Sequence, residues 1–366
     1  MKKTSMDSAA EGTVLIAGAT GIATQDLAEI ILKTPNSNVV GLSRTPPAEA
    51  LGAMRHVAAD MQDAEACRKA VAGLEVTHLV YAARATHRLY TAMTPYEKVG
   101  IEEVAPNLQM LKNIVGACEG PSLRHVHAVA GGKWYGIHLG PYPTPAREGD
   151  PGHMPPNYYF DQQNFLIDES SRKGWSWSTS RPGVICGDAI TGGPNLMSTI
   201  AAYAAICRHL GRPFDFPGKP GNYTSLQELT QSRLLAEAIH WMCNSPTAAN
   251  EAFNVTNGDF FRWEQVWPRL AEYFGLRQGA VRHFSLVQWM AGKESVWKEI
   301  VTEHGLHPTS LDQVASWGFA DFVLGWDYDA VSSMTKIRRA GFHRVIDSEE
   351  MMFDQLNCLR QRRLCP

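Results

Sequence analysis

The chain has 366 residues, of which 44% are hydrophobic and 19% charged, with a formal net charge of -3. That is the composition of a globular protein with a sizeable core, in one large domain with extensions or in two. It excludes the strong positive field that draws in nucleic acid or an anionic membrane, since the basic residues are scattered except for the tail Arg360, Arg362 and Arg363, which reads as a solvated terminus.

In chain order, Val14 to Ala17 reads as a buried strand and Gln25 to Lys33 as a helix with Leu27, Ile30 and Ile31 on one face. Strands follow at Asn38 to Leu42 and Val57 to Asp60, a helix at Asp63 to Ala72, and a fourth strand at Thr77 to Ala83. Pro95 to Cys118 is helical and Arg124 to Ala130 is a fifth strand. This alternation of continuously apolar strands with helices predicts an α/β fold, a Rossmann-type doubly wound parallel sheet covered on both faces. Leu139 to Asn157 holds six prolines and reads as a long exposed loop. Beyond it the pattern predicts a helix over Tyr158 to Arg172, a strand over Trp177 to Ile185 and a helix over Pro194 to Leu210. A helix over Leu226 to Cys243, a short strand over Ala252 to Val255 and a helix over Trp263 to Phe274 complete it. The expected division is a nucleotide-binding Rossmann domain over 12–190 and a smaller, mostly helical substrate-binding cap over 191–366, some of whose segments return to the sheet.

The seven cysteines show no CxxC spacing, which fits reduced thiols in the cytoplasm. His125 and His127, two apart in a strand with no flanking Cys or carboxylate cluster, read as ordinary strand histidines rather than zinc ligands. Residues 1–12 lack the apolar segment of a signal peptide. The apolar stretch Leu196 to Cys207 falls far short of the roughly 20 residues that span a bilayer. A soluble protein with neither membrane nor nucleic-acid partners is expected; monomer and homodimer both stay open.

Gly18-Ala19-Thr20-Gly21-Ile22-Ala23-Thr24 directly follows the first strand and opens the first helix. Glycines let a backbone turn sharply and approach a pyrophosphate, and a helix N-terminus offers unpaired N–H groups, so this loop reads as a dinucleotide cradle. Thr24 stands where a third glycine would pack helix on sheet, and a looser packing is expected. The second strand ends in Ser43-Arg44, and no acidic residue lies between Glu29 and Glu49 to take a ribose 2′-hydroxyl. The Arg44 guanidinium suits a 2′-phosphate instead, so NADPH is preferred over NADH. The expected cofactor contacts are Gly18, Thr20, Gly21 and Ile22 in the loop, Ser43 and Arg44, Asp60 and Met61 toward the adenine, Ala82 and Ala83 after the fourth strand, and Val184.

Ordinary short-chain dehydrogenases carry Tyr-x-x-x-Lys on one helix, where the lysine four residues on shares a face with the tyrosine. Here Tyr158 is followed four on by Gln162 and Tyr159 by Gln163. A lysine is available just past the fifth strand, in Gly131-Gly132-Lys133-Trp134-Tyr135, and a tyrosine pair opens the next helix in Asn157-Tyr158-Tyr159-Phe160. These two segments resemble the Gly-x-Lys-x-Tyr and Asn-Phe-Tyr-Tyr motifs of the progesterone 5β-reductase and iridoid synthase-like family of atypical extended short-chain dehydrogenases. Trp177 to Gly183, Tyr203 to Arg208 and Asn250 to Asp259 extend the resemblance over most of the chain. It implies that Lys133 and Tyr159 are catalytic and that the activity is NADPH-dependent 1,4-reduction of a small enone or enal. Hydride goes to the β-carbon, and the tyrosine stabilises the enolate oxygen with lysine in support.

Several positions depart from the plant members. Gln163 and Asn164 replace an acidic pair, Ala82-Ala83-Arg84 stands for Val-Thr-Trp, and the loop from Lys133 to Tyr159 is shorter, with Gly136 and Leu139 less aromatic. They suggest a member from outside the plants and leave the substrate open. Two competing activities are 1,2-reduction of a carbonyl and the epimerase or dehydratase chemistry of other extended members; the missing Tyr-x-x-x-Lys weighs against both. A non-catalytic NADP(H)-binding redox sensor would have no use for Lys133 and Tyr159.

Overall fold

The computed structural model describes residues 12–46, 54–85, 104–187 and 195–366. Seven parallel strands form one sheet: β1 (Gly12–Ala17), β2 (Ser37–Ser43), β3 (Arg55–Ala58), β4 (Val76–Tyr81), β5 (His125–Val129), β6 (Ser176–Pro182) and β10 (Glu251–Val255). The order is β10-β6-β5-β4-β1-β2-β3. The strand order reverses between β1 and β4, and in such sheets ligands bind in the crevice at the carboxyl ends of those strands.

The continuous apolar runs are explained by burial on both faces. Leu15 and Ala17 of β1 point into one core with Leu42, Leu79 and Tyr81, while Val14 and Ile16 point into another with Val39 and Val80. The helices α1 (Leu27–Leu32), α2 (Ala64–Val71), α3 (Val104–Cys118) and α4 (Tyr158–Lys173) flank the sheet. Residues of α2, α3 and α4 (Cys67, Leu111, Ile114 and Leu166) cover the first face. Leu27 and Ile31 of α1 cover the second, together with Leu235 and Ile239 of α7 (Ser232–Asn244).

A third core lies in the C-terminal half. Around α5 (Leu196–His209), which is buried from Leu196 to Cys207, gather Trp263, Trp267, Trp297 and Leu356. An all-round apolar helix needs such a jacket. Two small sheets belong to this region: β7 (Val184–Cys186), which follows β6 in the chain, pairs with β9 (Leu229–Gln231), and β8 (Phe214–Phe216) pairs with β11 (Gln278–Val281). The short α6 (Pro220–Thr224) lies between β8 and β9 in the chain. No described helix is long and apolar enough to cross a membrane.

The structure corrects several expected boundaries. The single strand predicted over Trp177 to Ile185 is two, broken at Pro182-Gly183, and its second half leaves the main sheet. The helix predicted from Leu226 starts at Ser232, because Leu229–Gln231 is the strand that pairs with β7. The first helix starts at Leu27 rather than Gln25, since residues 18–26 run as turns, among them Thr24 N–H to Gly21 O. Pro95 and Pro194, expected in the first turns of their helices, lie outside the described residues. The proline-rich loop is largely exposed as predicted, yet it is pinned: Ala146 is fully buried, its N–H donates to Val331 O and its carbonyl accepts from Ser333 N–H.

His125 and His127 of β5 interleave with serines of β6. Each histidine ring nitrogen lies 2.8–3.0 Å from a hydroxyl of Ser176, Ser178 or Ser180. Burial pulls the His127 pKa down to about 3 and that of His125 well below its usual value, so both are neutral.

Candidate active site

The glycine loop is shaped first by its own chain. Gly18 has φ +94°, and a Cβ there would lie 2.8 Å from the Ala82 carbonyl carbon and the Ala83 nitrogen. Glycine is therefore required by the close passage of the β4 exit under the β1 turn. Thr24 stands inside the turn. It is buried, and its hydroxyl donates to Gly18 O (2.9 Å), closing the turn from within.

Nine of the eleven expected cofactor contacts line one cavity of ≈ 230 Å³ over the carboxyl ends of β1, β2 and β4: Gly18, Thr20, Gly21, Ser43, Arg44, Asp60, Met61, Ala82 and Ala83. Asp60 and Met61 lie just past β3, not at its end as expected. The other two, Ile22 and Val184, line an adjoining cavity of ≈ 260 Å³. Arg84 borders both. Within the first cavity Arg44 is exposed, whereas Ser43 is buried and occupied: its hydroxyl donates to Thr45 O (2.6 Å) and meets His56 Nε2 at 2.8 Å.

The second cavity brings Lys133 and Tyr159 together, from opposite ends of the proline-rich loop. Its walls are mostly apolar, with Ile137, Phe319, Phe322 and Trp326. Lys133 sits in a single 3₁₀ turn, Gly132–Tyr135, just beyond β5. Asn157 couples the two residues. Its side chain caps α4 by accepting the Tyr159 N–H (3.0 Å), while its Nδ2 donates to Lys133 O (2.8 Å). The Tyr159 hydroxyl lies beside Gly131, 3.6 Å from where a Cβ on that residue would be. Tyr158 faces the other way. It is buried on the α4 face that also carries Gln162 and Leu166, with its ring 4.3 Å from that of Tyr159.

Behind the lysine turn lies a buried network. Arg181 stacks on Trp134, 3.7 Å from the ring centroid, and donates to the Tyr135 hydroxyl (3.0 Å), to Glu148 O and to Gln163 Oε1 (3.2 Å). Tyr135 in turn donates to Asn254 (2.6 Å). Gln163 occupies the position four after Tyr159, and its amide oxygen is an acceptor for this guanidinium. The tyrosine of the Gly-x-Lys-x-Tyr motif is thus a buried support residue.

Sequence reasoning assigned no role to three members of the site's surroundings. Asn107 of α3 accepts the Ala85 N–H on its side chain and the Gln162 amide on its carbonyl, tying the β4 exit to α3 and α4. Asn157 was legible only as part of a motif. Glu228, immediately before β9, lines the second cavity and had no sequence signal, since its neighbour Ser332 lies far along the chain.

A parallel sheet of this order, with a glycine turn after β1 and a second cavity at the same sheet edge, defines an extended Rossmann-type protein of the short-chain dehydrogenase/reductase kind. The UDP-glucose 4-epimerase of Thermus thermophilus, crystallised with NAD, has the same fold: TM-score 0.67 over 95% of this chain and 99% of that one, at 16% identity. More particularly, the PRISE-like Rossmann-fold domain model matches residues 65–366. The chain is 32% identical to an (S)-8-oxocitronellyl enol synthase of Camptotheca acuminata, covering 97% of this chain and 94% of that protein. It is 34% identical to a 3-oxo-Delta(4,5)-steroid 5-beta-reductase of Arabidopsis thaliana, covering 91% and 87%. The protein belongs to this family, progesterone 5β-reductase and iridoid synthase-like, as its motifs indicated.

Proposed function

We propose that the protein is an NADPH-dependent reductase of activated C=C bonds that carries out 1,4-reduction of a small enone or enal. The observation that carries this reading is the convergence of Lys133 and Tyr159, with Ile22 and Val184, on one largely apolar cavity. The names of the relatives support it. A 3-oxo-Δ4,5 steroid is an enone, and reduction at its position 5 adds hydrogen to the β-carbon; an enol is what such an addition leaves before the α-carbon is protonated.

The residues fit a dinucleotide. Arg44 at one end offers a guanidinium for the 2′-phosphate, the Gly18–Gly21 turn lies in the middle for the pyrophosphate, and Ile22 and Val184 lead to the tyrosine. When bound, NADPH supplies the hydride that adds to the substrate's β-carbon. Tyr159 donates a hydrogen bond to the carbonyl oxygen and holds the charge that develops there as the enolate forms. The Lys133 ammonium, whose backbone carbonyl is tied to Asn157 at the head of α4, favours that charge. The apolar walls exclude water from the reacting carbons and strengthen both interactions. On this reading the helical C-terminal half is the substrate cap, supplying Phe319, Phe322 and Trp326. The free state of all seven cysteines supports a cytoplasmic location.

Incubation with C4-deuterated NADPH and a cyclic enone tests the reaction. Deuterium is expected on the β-carbon of a saturated ketone. Deuterium on a carbinol carbon overturns the reading in favour of 1,2-reduction.

A further inference from the structure

An ene-reduction needs two hydrogens: a hydride at the β-carbon and a proton at the α-carbon. Tyr159, engaged at the carbonyl oxygen, does not supply the second. The described ionisable side chains lining the cavity are Arg84, Lys133, Tyr142, Tyr159 and Glu228. Arginine does not release a proton in the working range. Tyr142 is half-buried, and both desolvation and the nearby Glu228 push its hydroxyl far up, making it a poor acid. Lys133 supports the tyrosine.

Glu228 has the placement and chemistry the step requires. It precedes Leu229, which pairs with Val184, so it stands across from Gly183 at the break between β6 and β7. A Cβ on Gly183 would lie 3.4 Å from its Cγ and 3.6 Å from its Oε1, so glycine there leaves the carboxyl uncovered toward the cavity. Ser332 fixes it with two 2.7 Å hydrogen bonds, from the N–H to Oε2 and from the hydroxyl to Oε1. No described ion pair includes it; Tyr142, Thr256 and Asp259 are the other polar groups that face it, and none is a cation. A buried carboxyl outside any described ion pair, in the wall of the cavity that holds Lys133 and Tyr159, is poorly accounted for by a structural role.

We infer that Glu228 is the general acid that protonates the α-carbon of the enolate. The inference rests on the reductase reading above. The step balances: the electron pair of the enolate C=C forms the new Cα–H bond with the Glu228 proton, the oxygen returns to a carbonyl, and the glutamate is left as carboxylate, to be reprotonated from solvent. The product then leaves as the saturated carbonyl compound, protonated on one face, and not as an enol. Burial raises the Glu228 pKa to about 7, with Ser332 opposing the shift, so the acid form is available at neutral pH.

Two measurements test this. In D₂O with unlabelled NADPH and 2-methylcyclohexenone, the wild-type protein is expected to place α-deuterium on one face. Glu228→Gln, which keeps an acceptor for Ser332 but has no proton to give, is expected to collapse that ratio toward one to one, and Glu228→Asp to retain part of it. Equal facial ratios in wild type and Glu228→Gln overturn the assignment. The second measurement needs no hydride transfer: wild-type protein mixed with 2-methylcyclohexanone in D₂O exchanges the α-proton through the Glu228 carboxylate, faster as pH rises through about 7. Glu228→Gln should exchange at least about tenfold more slowly. Unchanged exchange overturns the role of Glu228. Absence of β-carbon label from deuterated NADPH would instead overturn the reductase reading.

Discussion

Tyr158 and Tyr159 are adjacent in sequence yet differ in every physical respect that matters for catalysis. Tyr158 is buried with Gln162 and Leu166 on the core face of α4, and Tyr159 opens onto the apolar cavity beside Gly131. Tyr159→Phe should cut turnover about a hundredfold, the effect of losing one oxyanion donor, with NADPH affinity unchanged. Tyr158→Phe should stay within a few-fold of wild type. The reverse order in steady-state kinetics would place the active register one residue earlier. Arg44 is the corresponding residue at the cofactor end. Exposed in the cavity wall, it should contribute about ten- to a hundredfold to NADPH affinity through a charged hydrogen bond, and little to NADH. Fluorescence titration of Arg44→Ala with both cofactors checks this, and equal losses would show that Arg44 does not read the 2′-phosphate. These residues were legible because each sits in a local motif whose backbone context, a strand end or a helix start, is itself written in nearby sequence. Glu228 was not, because its significance depends on Gly183 and Ser332, which only the folded chain brings to it.

At the scale of elements, α4 explains why the chain has no lysine one turn after Tyr159. The position four after Tyr159 is Gln163, whose amide oxygen accepts from the buried Arg181 and from Thr179. Arg181 in turn supports the turn that carries Lys133 by stacking on Trp134. A lysine at 163 would set an ammonium against the buried Arg181 guanidinium and remove the acceptor that guanidinium uses. Gln163→Lys should therefore destabilise the protein by about 3 kcal/mol or more, and Lys133→Ala with Gln163→Lys should not regain activity. Denaturant melts and turnover of the double variant are the measurements; recovered turnover would show that lysine works equally well from the helix. The strands and their parallel arrangement were readable, though not their order, because burial on both faces leaves strands continuously apolar and spaced by helices. The splitting of β6 from β7 and the shortening of α7 were not. Both follow from the pairing of β7 with β9, a contact between segments some forty residues apart that no local pattern reports.

For the whole molecule, the buried titratable groups set opposing limits on pH stability. Burial lowers the pKa of His78 to about 4, with Arg124 and His240 adding to the effect, and that of His127 to about 3. Burial and the nearby Lys133 lower His138 to about 4. On unfolding each returns toward 6.5, so between 6.5 and these values the unfolded chain binds more protons than the folded one. Stability is intact above 6.5 and is lost as pH falls. A fall from 6.5 to about 4 or about 3 is worth roughly 3–5 kcal/mol per histidine, so several together rival the 5–15 kcal/mol of a whole domain. Glu228 acts in the opposite sense. Its folded pKa of about 7 exceeds the unfolded 4.5, so its contribution is intact below 4.5 and is lost as pH rises through 7. The two effects share the range between 4.5 and 7; the three histidines outweigh the one glutamate, so the thermal midpoint should fall steeply below about pH 6 and be level above about 7. Glu228→Gln removes a loss that is complete by about pH 7, so it should raise the midpoint relative to wild type more at about pH 8 than at about pH 5. His127→Gln, which keeps a partner for the β6 serines, should shift only the acid limb to lower pH. A midpoint that is level from about pH 6.5 to 4.5 in the wild type would mean that the β5 histidines are protonated without loss of the fold. Their hydroxyl ladder to β6 would then have to tolerate imidazolium in a dry sheet interior, where an unpaired charge costs several kcal/mol.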